Sequence, residues 1–397
     1  MKQIFSCCLL VVFLLSCNKK QEYHLDIQYA NSLVATPVAL NIPDFANESL
    51  FTLYNEKEKI PYQIDSANNK IWFVHQPARS INYFIEKRQG NRVPDNIMKL
   101  RKKEGSLQLL LADNPVIQYR YEMHYPPTGV DSIFRKSGYL HPVLTPKGDT
   151  LSRINPPDHN HHYGIWGPWT HTQIDTTRVD FWNLVEAQGT VLFKEFKSTT
   201  TGSVFNGFNA IQEHIDLKTK KAPQIALNES LEVRVWDLGR PDRYMFDYSS
   251  SFSSPLENGI LFEAYRYGGG IGMRFNEHWK KDNCQVLTSE GKTRLDADGS
   301  NARWAIVSSQ DSKGEGVNGI LFMSYPENRM HPEPMRVWPI DANEGRGDMF
   351  FEFCPIRHQE WKIDPNQTYS LKYRMVVFDG KLTAKEAEAY WQAFAKP

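Results

Sequence analysis

Ser370-Leu371-Lys372-Tyr373-Arg374-Met375-Val376-Val377-Phe378 decides the fold class of this 397-residue chain. In its first half apolar residues alternate with charged ones, the pattern of a strand with one face on a core and the other toward water. Runs of the same kind recur outward from it, at 107–111, 191–196, 227–236, 259–265, 304–308, 319–325 and 349–353, separated by Gly, Asn, Asp and Pro. Helical periodicity is nearly absent. Its clear instance is near the C-terminus, where Thr383 and Glu386 have the spacing of a capping box and Ala387, Tyr390, Trp391 and Phe394 fall on one face. This strand density predicts an all-β protein: a large antiparallel β-sandwich over residues 104–397, with a C-terminal helix packed on its edge.

Upstream, shorter signals such as 37–42 and 70–74 predict a small N-terminal β-module over residues 23–100. The basic, polar stretch 87–105 reads as a linker or a long excursion. At the very start, Lys2 precedes an almost unbroken apolar run from Ile4 to Leu15, closed by Leu14-Leu15-Ser16-Cys17. This is the build of a secretory signal, and the run is far shorter than the roughly 20 residues a spanning helix needs. The Leu-Leu-Ser-Cys ending resembles the bacterial lipobox. Residues 1–17 are therefore expected to be a leader, Cys17 the lipid-carrying residue and 18–22 a tether, which places the chain in the cell envelope with membrane contact only through the lipid. Cys284 and Cys354 remain in the folded part, and their spacing leaves pairing open.

Lys plus Arg and Asp plus Glu both total 46, so the chain lacks the basic excess that neutralising nucleic-acid phosphates requires. No Gly-x-Ser-x-Gly elbow is present, which disfavours an α/β-type serine hydrolase. Aromatic residues reach 13%, enough to furnish ligand platforms as well as core.

The stretch richest in chemistry is Pro156-Pro157-Asp158-His159-Asn160-His161-His162-Tyr163-Gly164-Ile165-Trp166, with His171 beyond it and His141 before it. Imidazole titrates near neutrality, so His159, His161 and His162 are candidate general acids or bases. On an extended segment His159 and His161 would share one side and His162 the other. A divalent metal is the alternative use, with His159, His161 and His141 as ligands and Asp158 or His331 as other third donors, although no cofactor is required by this reading. A third use is structural: histidines that hydrogen-bond loop carbonyls and one another.

Other segments bring polar groups to strand ends. Glu263 and Arg266 precede the run Gly268-Gly269-Gly270, followed by Arg274 and Asn276; Asn328, His331 and Arg336 occupy a Pro-stiffened loop ending in Trp338. Glu263 joins the histidines as a catalytic candidate. His141, Trp166, Arg266, Arg274, Asn276, Asn328, His331 and Arg336 are candidate substrate-binding residues, because guanidinium forks hold carboxylates or hydroxyls and indoles stack on sugar faces. The glycine run reads as a β-bulge or tight hairpin rather than a phosphate loop.

Together Tyr139-Leu140-His141-Pro142, the Asp-His-x-His-His-x-Gly-x-Trp motif at 158–166, Arg266-Tyr267-Gly268-Gly269, the segment from Asn328 to Pro332 and the late Tyr-Arg-Met-Val-Val-Phe-Asp-Gly resemble the PmoA-like family, labelled "methane oxygenase PmoA", of Bacteroidota and Planctomycetota. The likeness covers roughly residues 105–395. It implies a galactose-mutarotase-like supersandwich, a fold that hosts lyases, epimerases and glycoside hydrolases. Residues 59–65 resemble a small β-module found ahead of such sandwiches. The leading expectation is an envelope carbohydrate-active enzyme with His-based acid/base chemistry, a hydrolase, lyase or epimerase. A sugar-binding lipoprotein without turnover is the alternative, and the family label adds a metal-dependent oxidoreductase.

Overall fold

The computed structural model describes residues 20–24, 32–42, 51–77, 79–87 and 98–396. The expected leader and Cys17 lie outside them.

The N-terminal part forms two small antiparallel sheets. One orders the strands Lys20–His24, Asn82–Lys87, Phe51–Asn55 and Glu58–Ile60; the other orders Thr36–Asn41, Lys70–His75 and Gln63–Asp65. Three residues expected as tether thus belong to an edge strand. Alternation explains the packing: in Lys70–His75, Ile71 and Phe73 point into the module's own core, shared with Leu40, Leu53 and Ile85. Trp72 and Val74, on the opposite face, pack instead against the larger domain, with Trp72 and Trp236 at 5.2 Å between ring centroids. Gln63 completes the junction, its side-chain oxygen accepting from the backbone N–H groups of Val204 and Phe205 at 3.2 and 3.1 Å.

The rest is the expected large antiparallel sandwich. A nine-stranded sheet runs from Asn301–Ala302 through Glu333–Val337, Phe350–Phe353, Ile271–Arg274, Ile165–Trp166, Tyr139–Val143, Asn114–Arg120 and Ser106–Leu111 to Lys99–Lys103. Opposite it stands an eight-stranded sheet in the order Gly189–Thr200, Phe205–Asp216, Gln224–Trp236, Arg243–Ser253, Tyr369–Asp379, Val317–Ser324, Trp304–Gln310 and Gln285–Thr288. One core joins them: Leu109, Ile117, Ile165, Met273 and Phe351 from the first sheet meet Phe208, Val233, Phe246, Phe322 and Met375 from the second. A four-stranded sheet that includes Thr172–Ile174 and Ile260–Phe262 packs on the same core through Ile174, Ile260 and Phe262.

Tyr369–Asp379, the strand that opened the reading, alternates only through Lys372 and is buried at every residue from Tyr373 onward. The reason is a second cover. The helix Ala384–Ala395 lies across the outer face of the eight-stranded sheet rather than on its edge, burying Ala387, Tyr390 and Phe394 against Leu321, Met323, Val376 and Phe378. The capping box forms as the spacing predicts: Glu386 N–H donates to the Thr383 hydroxyl and the Glu386 carboxylate accepts from Thr383 N–H.

Part of the expected linker is also strand. Lys99–Lys103 pairs with Ser106–Leu111 at the sheet's edge, with Leu100 alone turned inward. Charge on an exposed edge strand blocks further pairing, and it hides the strand from a search for apolar alternation. Residues 88–97 lie outside the described residues. Cys284 and Cys354 are both buried free thiols.

Candidate functional site

The histidine-rich segment is not extended. His159 N–H donates to the carbonyl of Pro156 at 2.9 Å and His162 N–H to that of His159 at 3.0 Å, two successive turns closed by Asn155 N–H on the His162 carbonyl. Asn155 takes a φ of +42° to begin the reversal, and its side-chain amide donates to the Asn160 carbonyl. Turn geometry replaces strand alternation, so all three rings gather: the centroids of His159, His161 and His162 lie 5.5, 4.8 and 4.9 Å apart.

The three imidazoles have different surroundings. His162 is 1% exposed, walled by Trp166, Trp182, Trp338 and Phe350, and burial holds its pKa well below the usual value. Its Nδ1 has no hydrogen-bond partner among the described residues. Burial, with the charges of His159 and Arg274, lowers His161 to about 4. His159 is partly open, its side chain 30% exposed, and its Nδ1 lies 2.8 Å from a carboxylate oxygen of Asp158.

Asp158 is itself fixed. Arg274 donates to it at 2.9 Å and Asn343 at 3.0 Å, and Arg346 stands 3.5 Å from its other oxygen. Burial alone would raise its pKa, but the His159 hydrogen bond and the Arg274 charge outweigh it and keep the carboxylate ionised. Arg274 is fully buried at the end of its strand, with its guanidinium 4.7 Å over the ring of Trp338. Asn343 reaches Asp158 from three successive left-handed residues, Asn343, Glu344 and Gly345, at φ +53°, +59° and +80°. The same amide donates to Asp348 at 2.8 Å.

His159, His161 and His162 line a cavity of about 290 Å³. Four aromatic side chains, Trp182, Trp338, Tyr265 and Tyr267, line it together with polar groups that include Thr170, Asp180 and Asn183. Tyr267 is anchored through its hydroxyl, which accepts from Arg336 at 3.0 Å and from Trp338 Nε1 at 3.1 Å. His171 also lines the cavity, stacked on Tyr265 at 3.6 Å, and Arg266 lies at its edge over Tyr267. Asp180 contributes a carboxylate whose oxygens accept from the Thr170 hydroxyl and from the N–H groups of Trp182 and Asn183.

Of the residues singled out in the sequence, His159, His161, His162 and Arg266 thus meet at one cavity. Others stand apart from its lining. Glu263 is taken up by Arg178 at 2.7 Å. Arg274 sits behind His159, and Arg336 is paired with Asp298 at 2.8 Å. Trp166 is core, 3% exposed. Asn276 holds a turn, donating to the Thr150 carbonyl and accepting from His278 N–H. Asn328 and His331 surround Ser324 and the buried Glu333. His141 bonds Ser152 at 2.9 Å, and burial with the charges of Arg120 and His124 lowers its pKa to about 3. It is therefore not grouped with His159 and His161, the ligand set expected for a metal. Among the described residues no group of three His, Cys, Asp or Glu side chains is arranged to hold a metal ion.

Asp180, Trp182, Asn183 and Asn343 were not legible as site residues. The nearest signal was Asp180-Phe181-Trp182-Asn183, an Asx-type turn start amid aromatics. The glycine run serves packing: a Cβ on Gly269 would fall 2.0 Å from the Trp169 ring, and one on Gly270 2.1 Å from the Phe353 carbonyl.

Residues 106–392 match the model of a family described as of unknown function (DUF6807). The chain belongs to this family. The expected resemblance to the PmoA-like family is therefore corrected: the family model that matches is DUF6807, and the all-β architecture is not that of a helical membrane monooxygenase; among the described residues no helix is long and apolar enough to cross a membrane. No curated protein matches it. Among solved structures, the DUF6807 chain is similar to the heparan sulfate lyase HepC from Pedobacter heparinus, with a TM-score of 0.33 and 7% identity over 75% of this chain and 38% of that one. It is also similar to the GH36 alpha-galactosidase AgaA from Geobacillus stearothermophilus, with a TM-score of 0.28 and 9% identity over 71% of this chain and 41% of that one. The chain spans well under half the length of either. At such TM-scores neither likeness assigns an activity or a residue.

Proposed function

We propose that this chain is an envelope enzyme that acts on a single sugar ring by acid–base chemistry, with His159 as the base. One observation carries the reading: the Asp158–His159 pair borders a cavity lined in part by aromatic rings. An ionised carboxylate at Nδ1 selects the tautomer with its proton on that nitrogen and leaves Nε2 to accept one. Arg274 and Asn343 hold Asp158 from behind, so the imidazole is positioned before any ligand arrives. The cavity, about 290 Å³, lies just below the roughly 300–1,000 Å³ range of ligand pockets, which suits one ring. Indole and phenol faces are the surfaces on which the apolar side of a sugar stacks.

Paired carboxylates, the usual means of glycoside hydrolysis, are missing from the described lining, where Asp180 is alone and its oxygens are occupied. Proton transfer at carbon, as in elimination or epimerisation, fits the lining better. A second reading, sugar binding without turnover, is favoured by the packing of His161 and His162 against Trp182, which gives those rings a structural use. Export through the leader at 1–17, with lipid at Cys17, is part of the proposal.

The test is a screen of oligosaccharides for binding and product formation, with metal analysis of the same preparation. Turnover lost in His159→Ala with binding retained supports the enzyme. Binding with no product from any sugar, unchanged in His159→Ala, supports the binding protein. Stoichiometric redox metal would replace both with an oxidoreductase.

A further inference from the structure

We infer that the ring bound in this cavity carries an oxyanion, a carboxylate or a sulfate ester, and that Arg266 is the residue that selects it. This rests on the reading of the cavity as a sugar site.

The basis is the state of the arginines around it. Arg274 is paired with Asp158 at 2.9 Å, Arg178 with Glu263 at 2.7 Å, Arg336 with Asp298 at 2.8 Å and Arg346 with Asp348 at 2.7 Å. Each of those guanidinium groups has a carboxylate partner within the protein, Arg336 sharing Asp298 with Arg357. Arg266 differs. It lines the cavity, is exposed, and has no carboxylate partner among the described residues. Its guanidinium lies 5.4 Å from the centroid of Tyr267, a ring held in place by Arg336 and Trp338. A fixed aromatic face beneath a guanidinium restrains its plane and leaves its N–H edge for a ligand.

The one carboxylate of the described lining does not compete for that edge. Asp180 is engaged by three donors, the Thr170 hydroxyl and two backbone N–H groups. His161 and His162 are neutral at physiological pH, because burial lowers both. A neutral ring would leave the Arg266 fork to water. A carboxylate or sulfate would accept two charge-assisted hydrogen bonds from it, roughly twice as strong as neutral ones.

Calorimetric titration decides the matter, using a panel of hexoses, their uronates and their O-sulfated forms against the wild type, Arg266→Gln and Arg266→Lys at low and physiological salt. The expected result is that at least one anionic form binds about tenfold or more tightly than its parent hexose. That preference weakens with salt, vanishes in Arg266→Gln and partly returns in Arg266→Lys. Whether uronate or sulfate leads names the source of the oxyanion. Equal binding of parent and anionic forms, or a preference unmoved in Arg266→Gln, overturns the role given to Arg266 and leaves the sugar reading standing. If no member of the panel binds and the oligosaccharide screen is also blank, the sugar reading fails and the inference falls with it.

Discussion

The side chains that distinguish this site are one imidazole with a carboxylate behind it and two imidazoles without. His159 is expected to matter for rate more than for stability, since its side chain is 30% exposed. His159→Ala should lower turnover by about 10²–10⁴, the range of general acid–base catalysis, with a melting temperature within a few degrees of wild type. Asp158→Asn should lower turnover as well, and its loss should be smaller if Arg274 and Asn343 still fix the loop. His161 contributes to the pH dependence of folding. Its folded pKa of about 4 lies below the ordinary 6.5, so the unfolded chain binds its proton more readily. His141, lowered to about 3, acts in the same direction. Stability from these groups is fully present above pH 6.5 and is lost as the pH falls toward 4 and below, which urea unfolding at stepped pH measures.

Within single elements one buried charge question is Glu333, on an edge-proximal strand of the nine-stranded sheet. Burial raises its carboxyl to about 7, against the hydrogen bonds it accepts from Ser324, Tyr373 and Asn328. A folded pKa above the ordinary 4.5 means that its contribution is present below that value and is lost as the pH rises through 7. Glu333→Gln should therefore gain on the wild type with rising pH in denaturant titrations at pH 5 and 8. The same behaviour in both proteins would contradict a neutral carboxyl there. At the C-terminal helix, Thr383→Ala removes the acceptor for Glu386 N–H and should cost about 1 kcal/mol of unfolding free energy. The capping box was legible because it is a local device, complete within four residues. The placement of the helix on a sheet face was not, since its apolar stripe fits an edge or a face equally well.

Over the whole molecule, the N-terminal module and the sandwich share an interface through Trp72, Trp236 and Gln63. Trp72→Ala should cost on the order of 2 kcal/mol, less than a full core truncation because Trp72 is only partly buried. A single cooperative transition, shifted as a unit, is the outcome that agrees with a docked module. Strand content, the antiparallel sandwich, the terminal helix and the histidine segment all followed from sequence, because period-two alternation, capping residues and a dense run of imidazoles are each written in neighbouring residues. Sequence position also marked Arg266 and Trp338, but not what they would meet. Tertiary structure alone decided that His159 has Asp158 and Arg274 behind it while His141, His331 and Glu263 are engaged elsewhere. It also brought in Asp180, Trp182 and Asn343 from distant turns. The physical reason is that alternation fixes which face a side chain takes, whereas convergence depends on loop closure and on which sheet edge lies opposite, and neither is encoded within any one segment.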